Sequence, residues 1–232
     1  MIEVKKLVKV YDDVYAVNGI DLTIEEGSFV GLVGPNGSGK TTFLKLLFGF
    51  CRPTSGVIKI GGKTPGVNLR SEIAFYPEYD STYHWMKARD LINWYAGFFS
   101  DWNKDKEKEL IDFFDLPEHR YVAHLSKGFR AKLKLVLTLS RDAKIFLLDE
   151  PLSGIDPASR ANIISGILKA YKENQTFIFS THIVADAEML FERTIFMKEG
   201  TVFMDGKSDT LREEYGKSMD QIFKEDLYGK TV

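Results

Sequence analysis

Gly34-Pro35-Asn36-Gly37-Ser38-Gly39-Lys40-Thr41-Thr42 is the stretch whose reading decides the fold. Gly34 and Gly39 enclose four residues and are followed by Lys40 and a hydroxyl residue, the spacing of a loop that wraps phosphate groups. With glycine near about 7% of residues, this pattern arises by chance in roughly 1% of chains of this length. Its flanks are also those the chemistry requires. Phe29-Val30-Gly31-Leu32-Val33 is a short continuous apolar run, as expected of a strand buried on both faces. After the loop, Leu44, Leu47 and Phe48 recur at helical spacing. In a strand, loop, helix unit the loop amides turn inward and the helix adds its positive end. Lys40 then reaches the β and γ phosphates, and the Thr41 hydroxyl is a ligand for Mg2+. A glycine-rich turn with a surface lysine is the bland alternative, and the strand and helix on either side weigh against it.

Such a site needs a second acidic element on a neighbouring strand. Ile145-Phe146-Leu147-Leu148-Asp149-Glu150 supplies it, delivering Asp149 to the C-terminal edge of a buried strand, where ligands collect in open α/β sheets. Successive strand side chains diverge, so Glu150 points elsewhere. One carboxylate can hold the metal while the other deprotonates a water, and a positioned base is worth about 10²- to 10⁴-fold in rate. A further buried run, Thr176 to Phe179, follows a helical pattern at Ile163, Ile164, Ile167 and Leu168. Strand, helix, strand at this interval predicts a βαβ unit and a parallel sheet.

The remainder of the chain is arranged around this core. Ile2 to Val10 and Gly19 to Ile24, with a turn at Tyr11-Asp12-Asp13, read as an antiparallel sheet. From 78 to 140 the texture changes to aromatics (Tyr79, Tyr83, Trp85, Trp94) and helix formers, which predicts a helical subdomain inserted into the core formed by 1–77 and 141–205. Thr194 to Met204, broken at Glu199-Gly200, reads as a hairpin, and Ser218 to Gln221 has capping-box spacing for a helix in a C-terminal tail, 206–232. A length of 232 residues suits a single domain with an insertion. The formal charge of −2 argues against a basic nucleic-acid binder, so no nucleic-acid partner is expected. One cysteine, Cys51, excludes an internal disulfide and suits a reducing compartment. No run of about 18 apolar residues is present, and the N-terminus lacks a secretory pattern, so a cytoplasmic location is expected. His84, His119 and His124 lack metal-ligand spacing and read as surface or packing residues.

On these motifs the chain resembles the ATP-binding cassette ATPases, the nucleotide-binding subunits of ABC transporters. Ser153-Gly154-Ile155-Asp156-Pro157 is similar to the family's dimer-contact loop, with Asp156 at the nucleotide interface, and Ser180-Thr181-His182 to its switch histidine, which contacts the γ phosphate. The resemblance implies a P-loop NTPase (RecA-like) core with a mixed, largely parallel sheet, an antiparallel β subdomain and a helical subdomain. ATP and Mg2+ are the implied cofactors. Gly34, Pro35, Asn36, Gly37, Ser38, Gly39, Lys40, Thr41 and Thr42 then hold phosphates, Thr41 and Asp149 hold metal, and Glu150 activates water with help from Lys40 and His182.

Three positions are similar to family positions with alterations or alternatives. Tyr11 resembles the aromatic that stacks on adenine, although a packing role stays open with Tyr15 nearby. Glu78, in Tyr76-Pro77-Glu78, stands where the family carries a glutamine, and a carboxylate there can still coordinate Mg2+. The usual signature Leu-Ser-Gly-Gly-Gln reads Leu125-Ser126-Lys127-Gly128-Phe129. Ser126 can cap the following helix and Gly128 permits close approach. Lys127 either meets the partner's ATP or starts a solvated basic face continued by Arg130, Lys132 and Lys134. Leu-Ser-Lys-Gly variants resemble an exporter-type bacterial branch. The resemblance implies two partners: a second ABC ATPase subunit, like or unlike, bound head to tail, and a transmembrane permease subunit holding the chain at the cytoplasmic face of the membrane. A soluble non-transport ABC ATPase is the alternative. The 84 residues between Lys40 and Leu125 leave no room for the coiled-coil arm of repair members.

Overall fold

The computed structural model describes residues 1–228, and the last four residues of the expected tail, 229–232, lie outside the described residues. Strands β1 (Ile2–Tyr11) and β2 (Val14–Ile24) form the expected antiparallel hairpin. Its turn residues Asp12 and Asp13 have φ of 41° and 68°, the left-handed values that a two-residue hairpin needs and aspartate tolerates. After β3 (Phe29–Val33), the phosphate loop and α1 (Lys40–Phe48), β4 (Ser55–Ile60) returns to the free edge of β1. Sheet order is therefore β2-β1-β4.

The chain then runs through β5 (Ile73–Tyr76), α2 (Ala88–Ala96), α3 (Lys104–Phe114), α4 (Lys127–Leu139) and β6 (Ile145–Asp149). It continues through α5 (Pro157–Ala170), β7 (Thr176–Thr181), the short α6 (Val184–Ala187), β8 (Arg193–Lys198), β9 (Thr201–Lys207), α7 (Ser208–Tyr215) and α8 (Met219–Tyr228). β9 ends at Lys207, so residue 206, the expected start of the tail, lies within a strand. The α8 capping box forms reciprocally: Ser218 N donates to Gln221 Oε1 at 3.0 Å, and Gln221 N to Ser218 Oγ at 3.2 Å.

A six-stranded sheet of order β5-β6-β7-β3-β8-β9 forms the centre, parallel throughout except for β9. Because side chains alternate, its two faces feed two separate cores. Val30, Leu32, Leu147 and Ile178 face α1 and the antiparallel sheet, with Phe43, Leu44 and Leu47 of α1 buried between. Phe29, Phe146, Phe177 and Phe179 face the other way, against α4, α5 and the remaining helices. Phe177 stacks on Phe29 and Phe146 at 5.3 and 4.6 Å between ring centroids. β3 lies between β7 and β8, so the phosphate loop emerges at the middle of the sheet.

Arg141 joins the edge of the sheet to the helices. It is 3% exposed, donates to the carbonyls of Ile73, Arg70 and Ser71 at 2.8, 2.9 and 3.1 Å, and pairs with Asp101 at 3.0 Å. Its guanidinium also covers the ring of Phe99 at 4.1 Å. Truncating a buried cation of this kind leaves Asp101 and three carbonyls without a donor, so Arg141→Met should lower unfolding free energy by about 3 kcal/mol in urea titration. A change below about 0.5 kcal/mol, the range of ordinary surface substitutions, would contradict that role.

Candidate nucleotide site

The phosphate loop is inlaid against two neighbouring strands. A Cβ on Gly39, which has φ of 103°, would lie 2.2 Å from the carbonyl oxygen of Ala16, and one on Gly34 would lie 2.4 Å from that of Met197. Only glycine fits these close approaches. Gly34 N donates to Thr181 O at 3.3 Å and Ser38 N to Pro35 O at 3.2 Å, leaving Asn36 and Gly37 as an exposed crest. Ser38 is 2% exposed, and its Oγ is a buried polar atom without a hydrogen-bond partner.

Lys40, at the first position of α1, is 4% exposed. Its Nζ donates to the carbonyls of Gly34 and Pro35 at 2.7 and 3.0 Å and lies 3.1 Å from Glu150 Oε1. The direction of that last contact leaves Glu150 Oε1 with charge neutralisation but no hydrogen bond. Thr42, next to Thr41 in the first turn, is half-buried.

Asp149, the last residue of β6, is 1% exposed. Its Oδ1 accepts from Thr41 Oγ1 at 3.0 Å and from Ser180 Oγ at 2.8 Å. Burial holds its carboxyl above the ordinary value of 3.8, the hydroxyls of Ser180 and Thr41 oppose the rise, and the charges of Glu78 and Glu150 add to it. Glu150 does diverge from Asp149, yet for a reason beyond strand alternation: it lies past the strand end with φ of 47°. Its N–H is shared between Ser180 O at 3.2 Å and Ser180 Oγ at 3.0 Å, which fixes this conformation. Oε2 accepts from His182 N at 3.3 Å and lies 2.8 Å from His182 Nδ1. Ser180 therefore positions both carboxylates, a role the sequence reading left unassigned although a serine ending an apolar strand was visible.

Ser126, Lys127, Gly128 and Asp156 gather around a second point. Ser126 Oγ caps α4 by accepting from Phe129 N at 3.2 Å, and Asp156 caps α5 by accepting from Ser159 N at 3.0 Å. A Cβ on Gly154 would lie 1.9 Å from Lys127 Nζ, and one on Gly128 would lie 3.1 Å from Ser159 Oγ. Lys127 thus rests on the Ser153 to Asp156 loop of its own chain. A cavity of about 150 Å³ links the two groups, with Glu78, Lys127, Lys134, Glu150 and Ser153 among its walls. The alternative of a solvated basic face fails at Lys134, which is 7% exposed and sits in the run Leu133 to Leu139, whose members are all buried. Tyr11, the last residue of β1, is half-exposed, with Lys9 Nζ 4.7 Å above its ring. Its phenol is pushed up to about 12 by burial and by the neighbouring Cys51.

Thr41 and Asp149 present a hydroxyl and a carboxylate to one another, the hard oxygens Mg2+ takes. Among the described residues no group of three or more acidic, histidine or cysteine side chains is placed to hold a metal ion by itself.

The profile of the ABC transporter family matches residues 17–153, a span holding the phosphate loop, Ser126 to Gly128 and Asp149-Glu150. The chain belongs to this family. The ABC transporter ATP-binding protein YxlF of Bacillus subtilis, itself uncharacterised, is 34% identical over 220 residues, 92% of this chain and 73% of its own. Nod factor export ATP-binding protein I of Burkholderia lata is 29% identical over 234 residues, 97% of this chain and 77% of its own. The dimeric structure of the bacterial ABC transporter cassette MJ0796 has the same fold, with a TM-score of 0.80 at 23% identity over 89% of this chain and 98% of that one. The cassette described here is therefore an ATP-binding, ATP-hydrolysing subunit of the kind that powers transport, and a soluble non-transport role is not favoured.

Because its pKa is raised on folding, ionised Asp149 costs stability above its unfolded value and the cost vanishes once it is protonated. Without nucleotide, Asp149→Asn should melt higher than the native cassette at neutral pH. In calorimetric scans the gap should close as pH falls through the raised folded value towards 3.8. A lower melting temperature at neutral pH would show that its hydrogen bonds outweigh its desolvation.

Proposed function

We propose that the cassette hydrolyses ATP at the C-terminal edge of its central sheet with Glu150 as the base that deprotonates the attacking water. The carrying observation is the convergence of Lys40, Asp149, Glu150 and His182 on the phosphate loop. The amides of residues 34–42 and the start of α1 receive the phosphates. Lys40 exchanges two loop carbonyls and Glu150 for phosphate oxygens, which frees the Glu150 carboxylate for water. Glu150 takes the proton as the water oxygen bonds to the γ phosphorus and the bond to the ADP oxygen breaks. His182, one-third exposed at 2.8 Å from Glu150, orients that carboxylate and reaches the γ phosphate. Thr41 and Asp149, with Glu78, would hold Mg2+, which when bound neutralises charge on the phosphates. Tyr11 offers a half-exposed ring to the adenine base.

Two partners complete this reading. Ser126, Lys127 and Gly128 at the start of α4 face the ATP of a second ABC ATPase subunit, with Asp156 beside them, and the dimeric state of the MJ0796 cassette supports this. A groove of about 260 Å³ lined by Phe48, Phe50, Phe75, Tyr79, Tyr95 and Phe99 lies between the core and the helices. With Phe50 and Tyr79 mostly exposed, it suits an apolar helix of a transmembrane permease subunit, which would hold the cassette at the cytoplasmic face. Among the described residues no helix is long and apolar enough to cross a membrane. Leu125-Ser126-Lys127-Gly128 and the likeness to a Nod factor export protein favour the exporter-type branch.

Glu150→Gln keeps the shape of the side chain and removes the base. Phosphate release should fall by at least about 10²-fold while ATP-dependent dimerisation, followed by light scattering, persists. Turnover at the native rate in the purified variant would remove Glu150 from this role.

A further inference from the structure

We propose that Lys134 is a positioning residue of the ATPase site: its buried ammonium gathers the carbonyls of Pro77, Glu78 and Tyr79 onto α4 and supplies the positive charge that lets a carboxylate, Glu78, share a cavity with Glu150. This rests on the placement of Glu78 at the metal and phosphate site made above.

Lys134 Nζ donates to Pro77 O at 2.6 Å and to Glu78 O and Tyr79 O at 3.3 Å each, and lies 4.2 Å from the ring centre of Tyr76. One turn earlier on the same face of α4, Arg130 Nε lies 3.3 Å from Asp80 Oδ2 and its Nη1 donates to Leu125 O at 3.0 Å. Two cations at i and i+4 thus hold four consecutive residues, 77–80, to the helix that begins at Ser126. The loop has little independent freedom from that helix.

The charges explain why a lysine is tolerated at this depth. Burial of an ammonium is costly unless it is compensated, and carbonyl dipoles compensate only part of it. Glu78, Asp80 and Glu150 line one cavity with Lys134, and Lys127 and Arg130 are the other cations in its walls. Asp149, which ends β6 one residue before Glu150, adds a third carboxylate to those of Glu78 and Glu150 at this edge of the sheet. Three carboxylates at a site that receives a polyphosphate repel one another and the substrate, and a nearby cation offsets that repulsion. A glutamine at 78 would need no such cation. Glu78 and Lys134 are therefore read as a matched pair.

The test is a double-mutant cycle on Lys134→Gln and Glu78→Gln, with Lys134→Arg as the charge-conserving variant. Affinity for Mg·ATP is read by competition with a fluorescent nucleotide, kcat and KM by phosphate release, and Tm without nucleotide. Lys134→Gln should weaken Mg·ATP affinity at least about tenfold, the scale of one charge-assisted hydrogen bond, and lower kcat. Adding Glu78→Gln should restore most of the affinity, and Lys134→Arg should stay within about threefold of the native protein. Losses that multiply in the double variant, or a Lys134→Gln protein of native affinity, overturn the pairing. A fall in affinity matched by a fall in Tm that Glu78→Gln leaves unreversed assigns Lys134 a purely structural role and overturns it as well. If Lys134→Gln cannot be obtained folded, a folded double variant supports the pairing and an unfolded one overturns it. A native protein without turnover would refute the assignment of the nucleotide site itself, whereas independence of the two positions in an active protein refutes only this inference.

Discussion

The contact between Lys40 and Glu150 is the constraint on which the rest of the site depends, because both side chains are almost fully removed from water and lie 3.1 Å apart. Isolated burial of either ion would cost several kcal/mol, about 3–5 when one partner is deleted. The fold meets this cost with local dipoles: two loop carbonyls on the lysine, and the amide and imidazole of His182 on the glutamate. A bound polyphosphate can take over the lysine, and the glutamate then keeps its imidazole partner while losing its cation. Under the proposed role of Glu150 as the base, this ion pair holds its carboxylate until phosphate displaces it from the lysine.

Placement of Glu150 just past the strand is what brings it there. A left-handed backbone at a residue other than glycine is unfavourable, by about 1–3 kcal/mol, and persists only where surroundings over-determine it. Here Ser180 does so with both its carbonyl and its hydroxyl, while the hydroxyl simultaneously binds Asp149. One serine on β7 thus fixes the divergence of the two acids that β6 delivers. Pairing of β6 with β7 in parallel register, Asp149 opposite Ser180, is the sheet-level cause of that geometry.

The central strands were legible in the sequence because burial on both faces writes an uninterrupted apolar run, as at Phe29 to Val33 and Ile145 to Leu148. The phosphate loop was legible because close backbone approach admits only glycine at 34 and 39. β4 and β5 escaped, the first because Ser55-Gly56 dilutes its apolar alternation and the second because four residues are too few to show a period. Lys134 escaped for a different reason. Its neighbours Arg130 and Lys132 are only partly buried, and residue type alone groups the three; Arg130 even shares the helix face of Lys134, and it is the wholly buried second half of α4, Leu133 to Leu139, that sets position 134 apart. Tyr11 is the reverse case, recognisable by type and order yet found beside Cys51 and Lys9, since a hairpin tip is fixed by its own turn more than by the site it faces.

Helix α4 connects these features physically. Its first turn carries the cap Ser126 and the lysine that rests on Gly154; its middle binds the 77–80 loop; its last turn supplies Leu137 and Thr138 to the aromatic groove. A close-packed helix transmits displacement along its length because interiors have few voids to absorb it. Any force on Ser126 and Lys127 is therefore felt at Glu78 through two cations and at the groove through the same backbone. Arg141, just beyond the helix, anchors the far end to the carbonyls of Ile73, Arg70 and Ser71. Helix α4 thus joins the Ser126 end, the 77–80 loop and the aromatic groove in one packed element, with Arg141 fixed at the groove end.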